Sequence, residues 1–271
     1  MFNMKLYNII GDIHGRRGWE KLVNPSRINV FLGDYFDPYD NYTFDQLKDN
    51  FLNIISFAKT HPETVLLLGN HDLHYIHMQD QSRMMFADSL DILDLFLQNI
   101  HLFQGIAYAI DEDILISHAG FTKEWCEYSG YCGDGSLQSY VDHANNLFWD
   151  GYSEEGDRRR WDNPTVRGMK EFTFQAHMKF SDYYGSSPGQ SPVWIRPSTL
   201  EYSSFNNDVD QVVGHTQVKC INIDSPVHFN DDVNQGRGRL ILCDCLGYTN
   251  ESLYIDYTGP HDYIYKVNHK E

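Results

Sequence analysis

Long apolar runs are missing from this chain: no window of its 271 residues approaches the roughly 18 consecutive apolar residues of a membrane span. The N-terminus has Lys5 but no apolar stretch of signal-peptide length. The expectation is a soluble, cytoplasmic protein with no membrane partner. Positive charge is scarce as well. Twenty-one Lys and Arg face 38 Asp and Glu, a formal net charge of -17, and such a surface repels polyanions and argues against broad, sequence-independent nucleic-acid binding. A local cationic site supplied by bound metal is the exception. Cysteine is sparse and unpatterned. Cys126, Cys132, Cys220, Cys243 and Cys245 are odd in number and form no C-x-x-C pair, which speaks against a disulfide framework or a zinc knuckle and leaves them as small, semi-buried thiols. No internal repeat or low-complexity tract is evident.

What is present is enough apolar material, 41% of the residues, to bury a sizeable core. It comes in short aliphatic runs that break off at polar clusters opening with Gly or Ser. "LYNII" precedes Gly11, "INVFL" Gly33, "TVLLL" Gly69, "ILI" Ser117 and "VDQVV" Gly214. Runs this short with turn residues at their ends read as buried strands. Between the second and third lies a helix: Thr43 and Gln46 form a capping-box pattern, Phe44, Leu47, Phe51, Ile55 and Ala58 follow a helical stripe, and Pro62 stops it. Strands alternating with helices imply an α/β sheet, and ligands in such sheets sit beyond the carboxyl ends of the strands, where every polar cluster falls.

From about residue 121 to 190 the texture changes to Gly, Ser, Tyr, Trp and charge, with one short helix expected around Leu137 to Trp149. We read this as an insertion or cap within a single domain spanning 1–271. After Gly214, "VKCINID", "RLILCDC", "SLYIDY" and "DYIYKV" look like successive strands of a second sheet.

The five strand ends offer Asp12 and His14; Asp34 and Asp37; Asn70, His71 and Asp72; His118; and His215. Imidazole, carboxylate and amide oxygen are the ligands of metals of intermediate hardness, and the absence of thiolates argues against structural zinc. A D-x-H triplet on an extended segment would put both side chains on one side of the backbone, so Asp12 and His14 are expected to hold one ion together. Each cluster alone is an ordinary turn. Five of them in one order at five strand ends are hard to obtain by composition.

GDIHG, GDYFD, GNHD, SHAG and GHTQV, in this order, resemble the calcineurin-like metallophosphoesterase superfamily, in particular the branch of phosphoprotein phosphatases, phage lambda phosphatase and symmetrical diadenosine tetraphosphatases. The resemblance covers residues 7 to 120 and 209 to 257 well and the middle poorly. It implies an α/β four-layer sandwich, two mixed β-sheets packed face to face and flanked by helices. It also implies a dinuclear site, with Asp12 and His14 on the first metal, Asp34 bridging, and Asn70, His118 and His215 on the second. An anionic bridge suits two divalent ions about 3.5 to 4 Å apart, and water held between such ions attacks phosphorus in line. Manganese is the first choice of metal, iron or zinc the alternatives. His71, beside a ligand but not itself one, is the candidate general acid for the leaving group, with Asp37 holding its far nitrogen.

Two departures from the family pattern bear on substrate. Phosphoprotein phosphatases carry Arg where this chain has Pro38, so one phosphate clamp is missing; Gln217 replaces the second histidine of many phosphodiesterases, which matches the phosphatase branch. "VWIRP" looks like the stretch preceding the GH motif in lambda-like phosphatases and makes Arg196 the replacement clamp, with Arg16 second. Arg158, Arg159 and Arg160 read as a solvated face or lid, and Trp149, Trp161, Tyr183 and Tyr184 as core aromatics that are also capable of stacking on a substrate ring. The expected function is phosphoester hydrolysis like that of a serine/threonine protein phosphatase, on a phosphorylated small molecule, phosphoprotein or dinucleotide. A dinucleoside polyphosphate hydrolase would share every catalytic residue. The alternative of another class is a metal-bound regulatory protein without turnover, against which the retention of His71 and Asp37 speaks.

Overall fold

The computed structural model describes residues 4–76, 86–153, 186–224, 227–228 and 238–270. Two mixed sheets organise them. The first contains β1 (Lys5–Ile10), β2 (Ile28–Phe31), β3 (Val65–Leu67), β4 (Phe103–Gly105), β10 (Glu251–Gly259) and β11 (Asp262–His269), in the order β11-β10-β1-β2-β3-β4. The second contains β5 (Ala107–Ile110), β6 (Ile114–Ser117), β7 (Asp210–Val213), β8 (Val227–His228) and β9 (Arg239–Leu242), in the order β5-β6-β7-β9-β8. Strands β1 to β4 run parallel to one another, as do β6, β7 and β9.

The two-residue alternation of strand side chains divides the apolar residues between two layers. Ile9, Val30 and Leu67 of the first sheet share one buried cluster with Ile114, Ile116, Val212 and Ile241 of the second, so the sheets pack face to face. The neighbouring positions Ile10, Phe31 and Leu66 point the other way, into a cluster with Trp19 of α1 (Trp19–Leu22), Leu47, Phe51, Ile54 and Ile55 of α2 (Phe44–Thr60), Leu73 of α3 (Asn70–Ile76) and Ile92, Leu95 and Phe96 of α4 (Ser89–Asn99). Helix α2 starts where its sequence says it should. The Thr43 hydroxyl accepts from Gln46 N at 3.3 Å, the Gln46 side chain accepts from Thr43 N at 2.8 Å, and the helix ends at Thr60, two residues before Pro62. On the outer face of the second sheet, Val213 and Leu240 pack with Ile195 and with Leu200 of a short helix, Pro197–Ser203.

One expectation is corrected. The segments after Gly214 do not make one new sheet: "VKCINID" forms no strand, β9 joins β7, and β10 pairs antiparallel with β1, five registered pairs from Lys5↔Tyr257 to Ile9↔Leu253. The chain thus returns to its own first strand. The described part of 121–190 contributes to the main core. Trp125 of α5 (Lys123–Tyr128) and Leu137, Val141, Ala144 and Phe148 of α6 (Leu137–Ser153) belong to the same buried cluster as Phe51, and α6 runs past Trp149 to Ser153. Trp149 is partly buried against that cluster, with its indole N–H on the Gln104 carbonyl. Arg158, Arg159, Arg160, Trp161, Tyr183 and Tyr184 lie outside the described residues. All five cysteines are free thiols; Cys126, Cys243 and Cys245 are buried and Cys132 and Cys220 exposed. Among the described residues no helix is long and apolar enough to cross a membrane.

Asn145 fastens α6 to the sheets. Its side-chain oxygen accepts from Ile106 N (2.9 Å) and Ala107 N (3.1 Å), and its Nδ2 donates to Ala107 O (3.0 Å), all in buried surroundings. Asn145→Ala strands these backbone groups at about 1–3 kcal/mol for each left unpaired. The expected result is a urea midpoint lowered with little change in slope, and an unchanged midpoint would contradict it.

Candidate metal centre

The carboxyl ends of β1, β2, β3, β6 and β7 lead directly into Asp12, Asp34, Asn70, His118 and His215. The loops are laced to one another: His14 N donates to Asp34 O (2.6 Å), Gly15 N to Tyr35 O (3.1 Å) and Gly214 N to His118 O (2.8 Å). Close approach is enforced by glycine. A Cβ on Gly214 would lie 2.0 Å from Asp12 Oδ1, and one on Gly69 2.2 Å from Asp34 Oδ1.

The extended D-x-H geometry expected for Asp12 and His14 is corrected. Strand β1 ends at Ile10, and His14 adopts a left-handed conformation with φ 45°. Asp34 (φ 55°), Asp37 (58°) and His215 (62°) do the same, so four of the six non-glycine residues with positive φ among the described residues are at this centre. Each such residue costs on the order of 1–2 kcal/mol relative to a right-handed one. Turn geometry, not pleat alternation, brings the side chains together.

Backbone carbonyls fix the orientation of each imidazole. His14 Nδ1 lies 2.9 Å from Asp37 O, His118 Nδ1 2.8 Å from Leu32 O and His215 Nε2 3.1 Å from Trp194 O. Burial keeps the pKa of His118 low and that of His215 lower still, so each ring carries one proton and directs it at its carbonyl. The opposite nitrogens are then lone pairs, and they converge. His118 Nε2 and His215 Nδ1 lie 2.9 and 3.0 Å from Asn70 Oδ1, while His14 Nε2 and His118 Nε2 are both 3.5 Å from Asp34 Oδ2.

The carboxylates complete the set. Asp12 accepts from His215 N through Oδ2 (2.9 Å), and its buried Oδ1 accepts no hydrogen bond. Ligand atoms of Asp12, Asp34 and His118 lie within 4.8 Å of one another, all buried. Burial, together with Asp244 and Asp34, pushes the Asp12 carboxyl well up. An orphaned buried oxygen and lone pairs facing oxygens are what a cation relieves, and the N/O donor set fits a divalent metal. His71 and Asp37 sit beside this group. The His71 backbone N–H donates to Asp34 Oδ1 (2.8 Å), its Nδ1 lies 2.8 Å from Asp37 Oδ2, and Tyr75 donates to Asp37 Oδ1.

The calcineurin-like phosphoesterase family model matches residues 7–219. The chain belongs to that family. It is therefore a metal-dependent phosphoester hydrolase, and the buried group of Asp12, Asp34 and His118 could hold a metal ion. No curated protein matches the chain significantly. Strands β9 to β11 lie past the matched stretch, although β10 borders β1 at the heart of the first sheet.

Both arginines singled out in the sequence reach this centre. Arg196 Nη1 donates to His215 O and Thr216 Oγ1, each at 3.1 Å, and its charge is felt by Asp12, Asp34 and Asp244. Arg16 is buried, lies 3.6 Å from Asp40 through Nε, and has a buried Nη1 without a hydrogen-bond partner. Two acids were not given roles by sequence reasoning. Asp244 follows β9 as Asp12 follows β1; burial and Asp34 push its carboxyl up to about 7 against the pull of Arg16 and Arg196. The strand-end rule, applied once more, would have found it. Asp72 touches no ligand atom directly: it accepts backbone N–H groups of Asp34 (2.7 Å), Gly69 (2.8 Å) and Tyr35 (2.9 Å).

Asp72 thus holds the second and third ligand loops together. Asp72→Asn replaces one acceptor oxygen by a donor, and outer-shell losses of this kind lower metal affinity about 10- to 100-fold. Manganese titration of the variant is expected to show that drop with the fold intact by circular dichroism. Affinity equal to the parent's would sink this role.

Proposed function

We propose that the chain is a dinuclear phosphomonoester hydrolase, using two divalent ions, manganese in first place, and acting on phosphorylated small molecules or phosphoproteins. The observation that carries the reading is Asp34 Oδ2 at 3.5 Å from both His14 Nε2 and His118 Nε2, one oxygen shared between two ligand groups. In this reading Asp12 and His14 would hold one ion, Asn70, His118 and His215 the other, and Asp34 would serve both. When bound, such ions neutralise phosphoryl oxygens and acidify water close to phosphorus.

The remaining steps fall to the chain's own side chains. His71 Nε2 delivers a proton to the departing alkoxide, Asp37 on its Nδ1 stabilises the charged ring, and Tyr75 holds the other Asp37 oxygen in place. Arg196, braced on His215 O and Thr216, binds non-bridging oxygens in place of the arginine absent at Pro38, and Arg16 offers a second guanidinium whose buried Nη1 makes no hydrogen bond. Five free cysteines suit a reducing compartment, and we place the enzyme in the cytoplasm.

The test is hydrolysis with manganese of p-nitrophenyl phosphate, its bis ester, a phosphopeptide and diadenosine tetraphosphate, for the parent and for His71→Asn. The expected result is turnover of the monoesters, lowered roughly 100- to 10,000-fold by the substitution on poor leaving groups, with metal content retained. Cleavage confined to the dinucleotide would overturn the substrate class, and loss of metal in the variant would make His71 a ligand.

A further inference from the structure

Two buried carboxylate oxygens at the centre make no hydrogen bond, Asp12 Oδ1 and Asp244 Oδ1. Asp12 follows β1 as Asp244 follows β9, and the two strand ends abut: a Cβ on Gly11 would lie 2.1 Å from Cys243 O and 3.0 Å from Asp244 Cα. The main chain around Asp244 is pinned to the loops that carry His118 and His215. Cys243 N donates to Val213 O (2.7 Å) and Val218 N to Asp244 O (2.8 Å). Asp244 is 1% exposed, Asp34 repels it, and it in turn repels Asp12. Arg16 and Arg196 attract it, yet its Oδ1 accepts a hydrogen bond from neither.

We propose that Asp244 is a further carboxylate of the first ion's site, serving the ion read on Asp12, His14 and Asp34 with its charge and its unpartnered Oδ1. The inference rests on the two-ion reading above. In that reading the first ion has three protein donors and the second has four, Asp34, Asn70, His118 and His215. A carboxylate buried beside two others of its own sign, with an oxygen that no N–H or O–H reaches, is held against repulsion in the metal-free chain. A cation next to Asp12 turns that repulsion into attraction and gives the oxygen its partner. Asp244 lies beyond the stretch that the family model matches, residues 7–219.

The experiment titrates the chelator-treated full chain with manganese by calorimetry and follows its urea unfolding without metal, for the parent and for Asp244→Asn. One of the two binding steps is expected to weaken roughly 10- to 100-fold with the other unchanged. The metal-free urea midpoint of the variant should equal or exceed the parent's, because a buried repulsion has been removed. A residue that serves only the fold would lower that midpoint instead. On a His215→Ala background the substitution should weaken manganese binding by a similar factor; on a His14→Ala background, where the first ion is already disabled, it should change little. Unchanged affinity in Asp244→Asn, or a loss that comes with a lowered metal-free midpoint, overturns the inference and leaves the two-ion reading intact. A parent that binds one manganese ion or none removes that reading and the Asp244 inference with it.

Discussion

The structure turns on the concentration of buried negative charge and lone pairs around Asp34. Asp12, Asp34 and Asp244 are each about 1% exposed, and the nitrogens facing Asp34 and Asn70 have their protons committed elsewhere, to Asp37 O, Leu32 O and Trp194 O. Burying an uncompensated charge costs several kcal/mol, so folding this centre without a cation works against the rest of the core. The left-handed turns at His14, Asp34, Asp37 and His215, the glycines at 69 and 214, and the Asp72 carboxylate that gathers three backbone N–H groups all hold that repulsive arrangement in place. Strain of this kind persists only where surrounding structure over-determines it. Two packed sheets supply that rigidity, because each ligand follows a strand anchored in the layer between them.

The grouping of these side chains was legible in the sequence because each proposed ligand lies within four residues of the end of a short aliphatic run, and a strand end is a local signal. The helix of residues 44 to 60 was equally legible, since its capping box and its stripe are both written within one segment. Partner choice was not. The alternation of Leu253, Ile255 and Tyr257 is the same whether β10 joins the second sheet or closes back on β1, and only the three-dimensional packing decides. Asp72 was visible as a residue of GNHD, but its role was not, because contacts to backbone N–H groups leave no pattern in side-chain identities. The pleat assumed for Asp12 and His14 does not form: β1 ends at Ile10 and His14 takes a positive φ.

Around this core the chain places its few buried cations with care. In a chain with a formal net charge of -17, Arg16 and Arg196 both approach the acid cluster, one backed by Asp40 and Tyr39, the other braced on the loop that carries His215. Gly247 keeps the space for Arg16, since a Cβ there would lie 3.1 Å from its Nη2.

The central claim is that one carboxylate oxygen of Asp34 is shared by two ions, and metal stoichiometry tests it most directly. Elemental analysis after reconstitution with manganese and removal of excess should give two ions per chain for the parent and none tightly held for Asp34→Asn, because neither site keeps its charge balance without the bridge. A single ion in the parent, or an Asp34→Asn variant that still holds two, would contradict the account.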